Sequence, residues 1–406
     1  MRATTYLRLL TNVRGYNRRE PVIELERALG QLYGTDAKCS WFTVSNGRSA
    51  LDLLFSSLES RPGDEIIVQS FTCVTAVNPV VWNGFTPIFA DVAPGTFSPS
   101  VEDIERLITP HTRAIVLQHT FGLTAPVHEI VALAKSRDIL VIEDCSHALA
   151  SPITGQKLGT FGDAAIISFG VDKTLPTVFG GAVLVSNPQF ARDVAARYEA
   201  WTTIATTESL RWLIYPLLVR GLKALPNSIR GKTRGLLVRL GWLRISVTTS
   251  EYKGGKAPGV SQRLSGVHAS VISHELKNLP QNAKHRRAIV SLYAEVLSGM
   301  SNLQAHHYDD GLIKYPVICE SPELRAHILQ EFTLRGLPLI TWYSPAIFPQ
   351  GVNLSRLGYD PATCPVAEDL ATRIISLPTG PAISAKYATM IANELIAATT
   401  SFQRPA

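Results

Sequence analysis

GTFGDAAIISFGVDKTLPTVFGGAVLVS, residues 159 to 186, contains two apolar runs of strand length, AAIISF (164–169) and GAVLVS (181–186), joined by a segment carrying Lys173. A continuous apolar run of that length reads as a strand buried on both faces, in a sheet covered by helices on either side. Upstream the same kind of run recurs in EIIVQS (65–70), PIFADV (87–92), RAIVLQ (113–118) and ILVIED (139–144). Helical patterns fill the gaps. Ser100, followed three residues later by Asp103, opens VEDIERLI as a capped helix, and PVHEIVALAKSRD (126–138) sets Val127, Ile130, Val131 and Ala134 on one face. The alternation predicts an α/β fold with a mostly parallel central sheet and helices on both faces. In such sheets ligands bind beyond the carboxyl ends of the strands.

The remaining organisation follows from length and composition. The chain has 406 residues, with 46% hydrophobic and 18% charged. A small binding module or a disordered chain is therefore excluded. Past residue 263, helical periodicity in VHASVISHELKNL and KHRRAIVSLYAEVL precedes strand-like pieces around IKYPVI and a last amphipathic helix near 385–398, which reads as a smaller α+β domain. The expected division is an N-terminal segment 1–34, a large domain 35–200, an insertion 201–258 and a small domain 259–406. Five cysteines, 39, 73, 145, 319 and 364, are widely spaced and form no CxxC, so neither a disulfide framework nor a zinc knuckle is expected. The N-terminus lacks the apolar core of a signal peptide, and a cytoplasmic location is the expectation.

The net charge of +6 sits in one place. Residues 208 to 247 contain Arg211, Arg220, Lys223, Arg230, Lys232, Arg234, Arg239 and Arg244 against one acid, Glu208, while the rest of the chain is close to neutral. These cations are interleaved with long aliphatics and match no DNA- or RNA-binding motif, so no nucleic-acid partner is expected. The longest apolar run there, Trp212 to Val219, contains Pro216 and falls far short of the ~20 residues that span a bilayer. Two amphipathic pieces remain, Leu210 to Leu225 and Arg230 to Ile245. They suit a peripheral membrane contact with anionic lipid, packing on the protein as a cap over the site or an extension of a dimer, or a grip on a pyrophosphate. EYKGGKAPG (251–259) reads as a flexible connection. Arg14, Arg18 and Arg19 form a basic loop, either solvated or meeting a diphosphate.

Three motifs carry candidate chemistry. Ser45-Asn46-Gly47-Arg48-Ser49 precedes the helical run ALDLLFSSL, and a helix N-terminus offers free N–H groups to a phosphate. The plain alternative is a helix cap. Asp144, in Glu143-Asp144-Cys145-Ser146-His147 at the end of a buried strand, needs a partner: a protonated heterocycle nitrogen, or an internal salt bridge. Lys173 stands just past a strand, where a desolvated amine acts as a nucleophile, although most single lysines are solvated. In chain order at one sheet edge, the three make up the groups a pyridoxal phosphate site requires.

From Ser45 to Ser186 the chain resembles the DegT/StrS family of pyridoxal phosphate-dependent sugar aminotransferases, of the fold-type I superfamily. The resemblance rests on SNGRSAL, PGDEIIVQSFTCVTAVNPV, IEDCSHAL, GTFGDAAIISFGVDK and FGGAVLVS in order and spacing, and more loosely on QRLSGVHAS (262–270), WYSPAIF and SLPTGPAIS. It implies that Lys173 carries the cofactor and shuttles the proton of the reaction. Asp144 pairs with the pyridine nitrogen, His147 lies beside the phenolic oxygen, and Gly47, Arg48 and Ser168 hold the phosphate. Where many members place a stacking Phe or Trp this chain has Cys73, so stacking is thinner or Phe71 takes over. Ser261 replaces an asparagine that reaches the partner subunit's phosphate. Arg263, His307 and Tyr343 are candidates for contact with substrate, and no metal is implied.

The resemblance further implies transfer of an amino group from an amino acid, glutamate by expectation, to a keto sugar on a nucleotide or lipid carrier, in a homodimer. A non-catalytic, regulatory relative is the alternative, and it has no need of Lys173, Asp144 and Ser168 together.

Overall fold

The computed structural model describes residues 19–243, 246–308, 311–337 and 339–402. Arg14, Arg18 and Arg244 lie outside the described residues.

The apolar runs fold as strands within a residue or two of their expected limits. The central sheet comprises β1 (Ser40–Val44), β2 (Glu65–Gln69), β3 (Thr86–Ala90), β4 (Thr112–Gln118), β5 (Leu140–Asp144), β6 (Ala164–Ser168) and β7 (Gly181–Val185), with the short β8 (Thr202–Thr203) and β9 (Gln262–Arg263) extending one edge. Its order is β8-β9-β1-β7-β6-β5-β4-β2-β3. The run from β6 to β3 is parallel, and β7 lies antiparallel to both β6 and β1. No helix spans residues 169–180, so the chain doubles back and β7 returns beside β6.

Alternate side chains serve two cores. Ile66, Val68, Val116, Ile142, Ile166 and Val183 enter one cluster, and Ile67, Ile115, Leu117, Val141, Ile167 and Leu184 the other. Burial on both faces is why these strands read as unbroken apolar runs. Ser100 caps the helix Val101–Leu107, its hydroxyl accepting from the Asp103 amide at 3.0 Å. Within Val127–Lys135, Val127, Ile130 and Ala134 are buried.

The second layer, β10 (Leu303–Gln304), β11 (Lys314–Cys319) and β12 (Ile374–Pro378), is an antiparallel sheet whose cluster runs from Ile289 to Ala398. Residues 262–276 pack elsewhere. β9 joins the large sheet, and Ala269 and Ile272 of helix Gly266–Leu276 share a cluster with Leu25 and Leu29 of helix Glu20–Tyr33. These residues therefore pack with the large sheet, although the expected division begins the small domain at 259.

The insertion forms two helices, Thr206–Ala224 and Asn227–Arg239. The first is anchored: Trp212 is buried and stacks on Phe179 at 3.8 Å. EYKGGKAPG is not the flexible connection its glycines imply, because two buried acids tie it down. Glu251 is fully buried, closes a capping box with Thr248 and pairs with the Arg48 guanidinium. Asp52, equally buried, holds Lys256 at 2.8 Å and the Ser261 hydroxyl at 2.6 Å. No helix among the described residues is long and apolar enough to cross a membrane.

Candidate active site

The carboxyl ends of β5 and β6 open onto a cavity of about 590 Å³, lined among others by Gly47, Arg48, Cys73, Asp144, His147, Ser168, Lys173, Trp342 and Tyr343. Every predicted cofactor residue borders it.

One wall is the N-terminus of helix Gly47–Ser56. Asn46 caps it, its side-chain oxygen accepting from the Ser49 amide at 3.0 Å, while the Ala50 amide bonds the Asn46 carbonyl. The amides of Gly47 and Arg48 precede the first intrahelical bond and stay available. Space is kept open by Gly47: a Cβ there would sit 3.1 Å from Ser168 Cβ and 3.2 Å from its Oγ. The arrangement has the shape and donors of an anion cradle. The Arg48 side chain turns away, to Glu251 and to the Ser246 carbonyl at 2.8 Å, so this residue serves the cradle through its backbone.

Adjacent acids at the end of β5 have opposite fates, because neighbouring positions on a strand face opposite sides. Asp144 faces the cavity. It is 5% exposed, with one oxygen accepting from the Ser146 amide at 2.9 Å and the other without a protein partner among the described residues. A buried carboxylate with a free oxygen fits a protonated heterocyclic nitrogen. Glu143 faces away and accepts from the amides of Gly159 (2.7 Å), Phe161 and Gly162 (both 2.8 Å), with His119 Nε2 at 3.1 Å. His119, Glu143 and Cys145 stand close enough to suggest a metal site, but those donors take up the carboxylate. Glu143 thereby pins the loop that precedes β6.

Lys173 reaches the cavity from the loop after β6, its Nζ 5.6 Å from the Trp342 ring centre. Burial lowers its pKa below the usual amine value, with the Asp144 carboxylate opposing. The Lys314 amine lies 5.5 Å from the same ring and is likewise depressed by burial. His147 stacks on Trp342 at 5.4 Å with an interplanar angle of 6°. Its Nδ1 accepts the Phe121 amide at 3.1 Å, so the ring hydrogen sits on Nε2, 3.3 Å from the Tyr343 hydroxyl. Burial, helped by the amines of Lys173 and Lys314, holds His147 well below its ordinary 6.5, so it is neutral.

The aromatic expected over the cofactor needs correcting. Phe71 does not substitute: it is fully buried, edge-on to Tyr343 at 5.4 Å, and outside the cavity lining. Rings that line the cavity include Trp342, Tyr343 and Phe348, and Cys73 lines the wall with Thr75 donating to its sulfur at 3.1 Å. Of the proposed substrate residues only Tyr343 borders the cavity. Arg263 pairs with Glu199 at 2.8 Å on the sheet edge, and His307 is exposed on the loop after β10. Arg19 pairs with Glu199 as well, at 3.0 Å.

Sequence reasoning missed Trp342, Lys314, Tyr215 and Arg286. Arg286, 3% exposed, donates to the Ile313 carbonyl (3.2 Å), the Thr379 hydroxyl (2.9 Å) and, at 3.4 Å, the Lys173 carbonyl, tying the small domain to the lysine's backbone. A double Arg in KHRRAIV was its only signal.

Residues 14–396 match the profile of the DegT/DnrJ/EryC1/StrS aminotransferase family. GDP-perosamine synthase of Escherichia coli O157:H7 is 44% identical over 145 residues, 36% of this chain and 40% of that protein's length. The dTDP-4-dehydro-2,3,6-trideoxy-D-glucose 4-aminotransferase of Saccharopolyspora spinosa is 28% identical over 359 residues, 86% of this chain and 82% of that one. A structure from Streptococcus pneumoniae in its PLP form superposes with a TM-score of 0.77 at 19% identity, covering 100% of this chain and 98% of that one.

Proposed function

Because the chain belongs to the DegT/DnrJ/EryC1/StrS aminotransferase family, and is a pyridoxal phosphate-dependent sugar aminotransferase, we propose that it moves an amino group from glutamate to a keto sugar carried on a nucleotide. The observation that carries this reading is the convergence of Lys173, Asp144 and the Gly47 cradle on one cavity. Pyridoxal phosphate, when bound, supplies the electron sink that lets an amino group leave one carbon and join another.

The chain's own residues do the rest. The amides of Gly47 and Arg48 and the Ser168 hydroxyl hold the phosphate. The Asp144 carboxylate pairs with the ring nitrogen and keeps it protonated. Neutral His147 donates from Nε2 and so favours an oxyanion beside it. The Lys173 amine, with its proton made easier to lose by burial, carries the cofactor and moves a proton at the substrate carbon. Tyr215, Trp342 and Tyr343 wall the cavity and limit water around the reacting groups.

Nucleotide-linked sugars are proposed because the similar proteins from E. coli and S. spinosa are a GDP-perosamine synthase and a dTDP-sugar 4-aminotransferase. The pathway class is cell-surface polysaccharide or secondary-metabolite sugar synthesis. A homodimer is part of the proposal, since Arg263 lies at the sheet edge instead of in its own chain's cavity. The test is incubation of the cofactor-loaded protein with glutamate, glutamine or aspartate and a panel of nucleotide-linked keto sugars, with the product read by mass spectrometry. Amino-sugar formation with glutamate supports the reading. Turnover with none of the sugars, or only with a different donor, contradicts it.

A further inference from the structure

The second insertion helix, Asn227–Arg239, is left uncovered. None of the described side chains from 228 to 242 is buried. Its sequence is nonetheless not that of a solvated helix. Ile229, Leu236 and Leu240 are spaced seven and four residues apart, which stacks them on one side of a helix with 3.6 residues per turn. They are 47%, 56% and 55% exposed. By the same periodicity Lys232 and Arg239 flank this stripe on one side and Arg230 on the other. Trp242 and, on the first helix, Leu217 are exposed as well. From 209 to 250 the chain has no Asp or Glu, and Arg220, Lys223, Lys232, Arg234 and Arg239 have no carboxylate partner among the described residues.

The hairpin is nevertheless built to hold its shape. Trp212, Leu213 and Leu222 bury the first helix against the protein. The Arg230 guanidinium donates to the carbonyls of Leu225 at 2.8 Å and Lys223 at 3.2 Å, tying the second helix to the end of the first. A single helix of this length is marginal in water, so an apolar stripe held outward calls for a covering phase.

We propose that this hairpin docks peripherally on an anionic lipid bilayer, with Ile229, Leu236 and Leu240 at the acyl boundary and the surrounding Lys and Arg at the headgroup phosphates. A second copy of the chain is disfavoured as the occupant, because a two-fold contact would bring this acid-free surface against itself. Tyr215 of the same hairpin, with Ser246, Val247 and Thr248 just after it, lines the active-site cavity, so docking brings the cavity next to the membrane.

The experiment is flotation of full-length, cofactor-loaded protein with phosphatidylcholine vesicles, with and without phosphatidylglycerol, at low and high salt. Expected is co-flotation only with phosphatidylglycerol, weakened about tenfold or more by high salt. The pair Leu236→Asp with Leu240→Asp, and separately the pair Lys232→Glu with Arg239→Glu, should each lower binding by about tenfold, with cofactor absorption and thermal melting unchanged. No flotation with the anionic vesicles at low salt overturns the proposal, as does binding indifferent to both pairs. So does a leucine pair that splits a dimer in a protein showing no membrane binding, since the face would then belong to a second copy.

Discussion

Lys173, Asp144 and Gly47 border one cavity at the carboxyl ends of β5 and β6, and each contributes a different group to it: an amine, a carboxylate and a backbone amide. Replacing Lys173 by Ala should abolish cofactor absorption and lower turnover by about 10³-fold or more, measured by single-turnover kinetics. Asp144→Asn keeps the volume and removes the charge facing the cavity, so the cofactor should still bind while turnover falls by about 10²-fold; unchanged turnover would remove Asp144 from the mechanism. The places of Lys173, Asp144 and Gly47 were readable from local signals, a lysine after a strand, an acid at a strand end and a glycine opening a helix, whereas Trp342 and Arg286 were not readable in the same way. Their neighbours, His147 and the Lys173 carbonyl, come from chain positions far away, and only the fold brings them together. Arg286→Ala leaves the Ile313 carbonyl and the Thr379 hydroxyl without this donor, so a stability loss of about 1–3 kcal/mol is expected in denaturant unfolding.

At the level of elements, the strands were legible from composition and the ends of the insertion were not. Glycines at 254 and 255 suggested a mobile link, but Asp52 and Arg48, distant in sequence, fix it by pairing with Lys256 and the buried Glu251. The helix Glu20–Tyr33 was also passed over, although Val22, Leu25, Leu29 and Tyr33 follow its period and are buried. Where the first insertion helix meets the body, Trp212 lies 5.1 Å from the His268 ring. Burial lowers the His268 pKa from 6.5 to about 3. The folded-state value is depressed, so below pH 6.5 the unfolded chain binds a proton that the folded chain does not. Stability is present above 6.5 and lost as pH falls toward 3, by up to about 1.4 kcal/mol per pH unit from this group. Unfolding measured between pH 7 and 5 should show a shallower decline for His268→Gln than for the unsubstituted protein, and equal slopes would contradict the assignment.

For the molecule as a whole, the mostly parallel sheet and the smaller C-terminal layer match what alternating strands and helices predict, and the site sits where strand ends converge. The point where packing passes from one layer to the other was less legible, because residues 262–276 look like the start of a new helical unit, yet Gln262–Arg263 join the large sheet and the helix Gly266–Leu276 packs in its cluster. Light scattering should give a mass of twice the 44.3 kDa chain; a monomer with full activity would contradict the proposed dimer. Whether Lys173 holds the cofactor and passes on an amino group is read from the absorption spectrum of the protein loaded with pyridoxal phosphate, beside Lys173→Ala, before and after adding glutamate. A protein-bound cofactor band is expected only when Lys173 is present, bleached by glutamate with one equivalent of 2-oxoglutarate released. A band that is absent from the unsubstituted protein, or that responds to glutamate equally in Lys173→Ala, would contradict it.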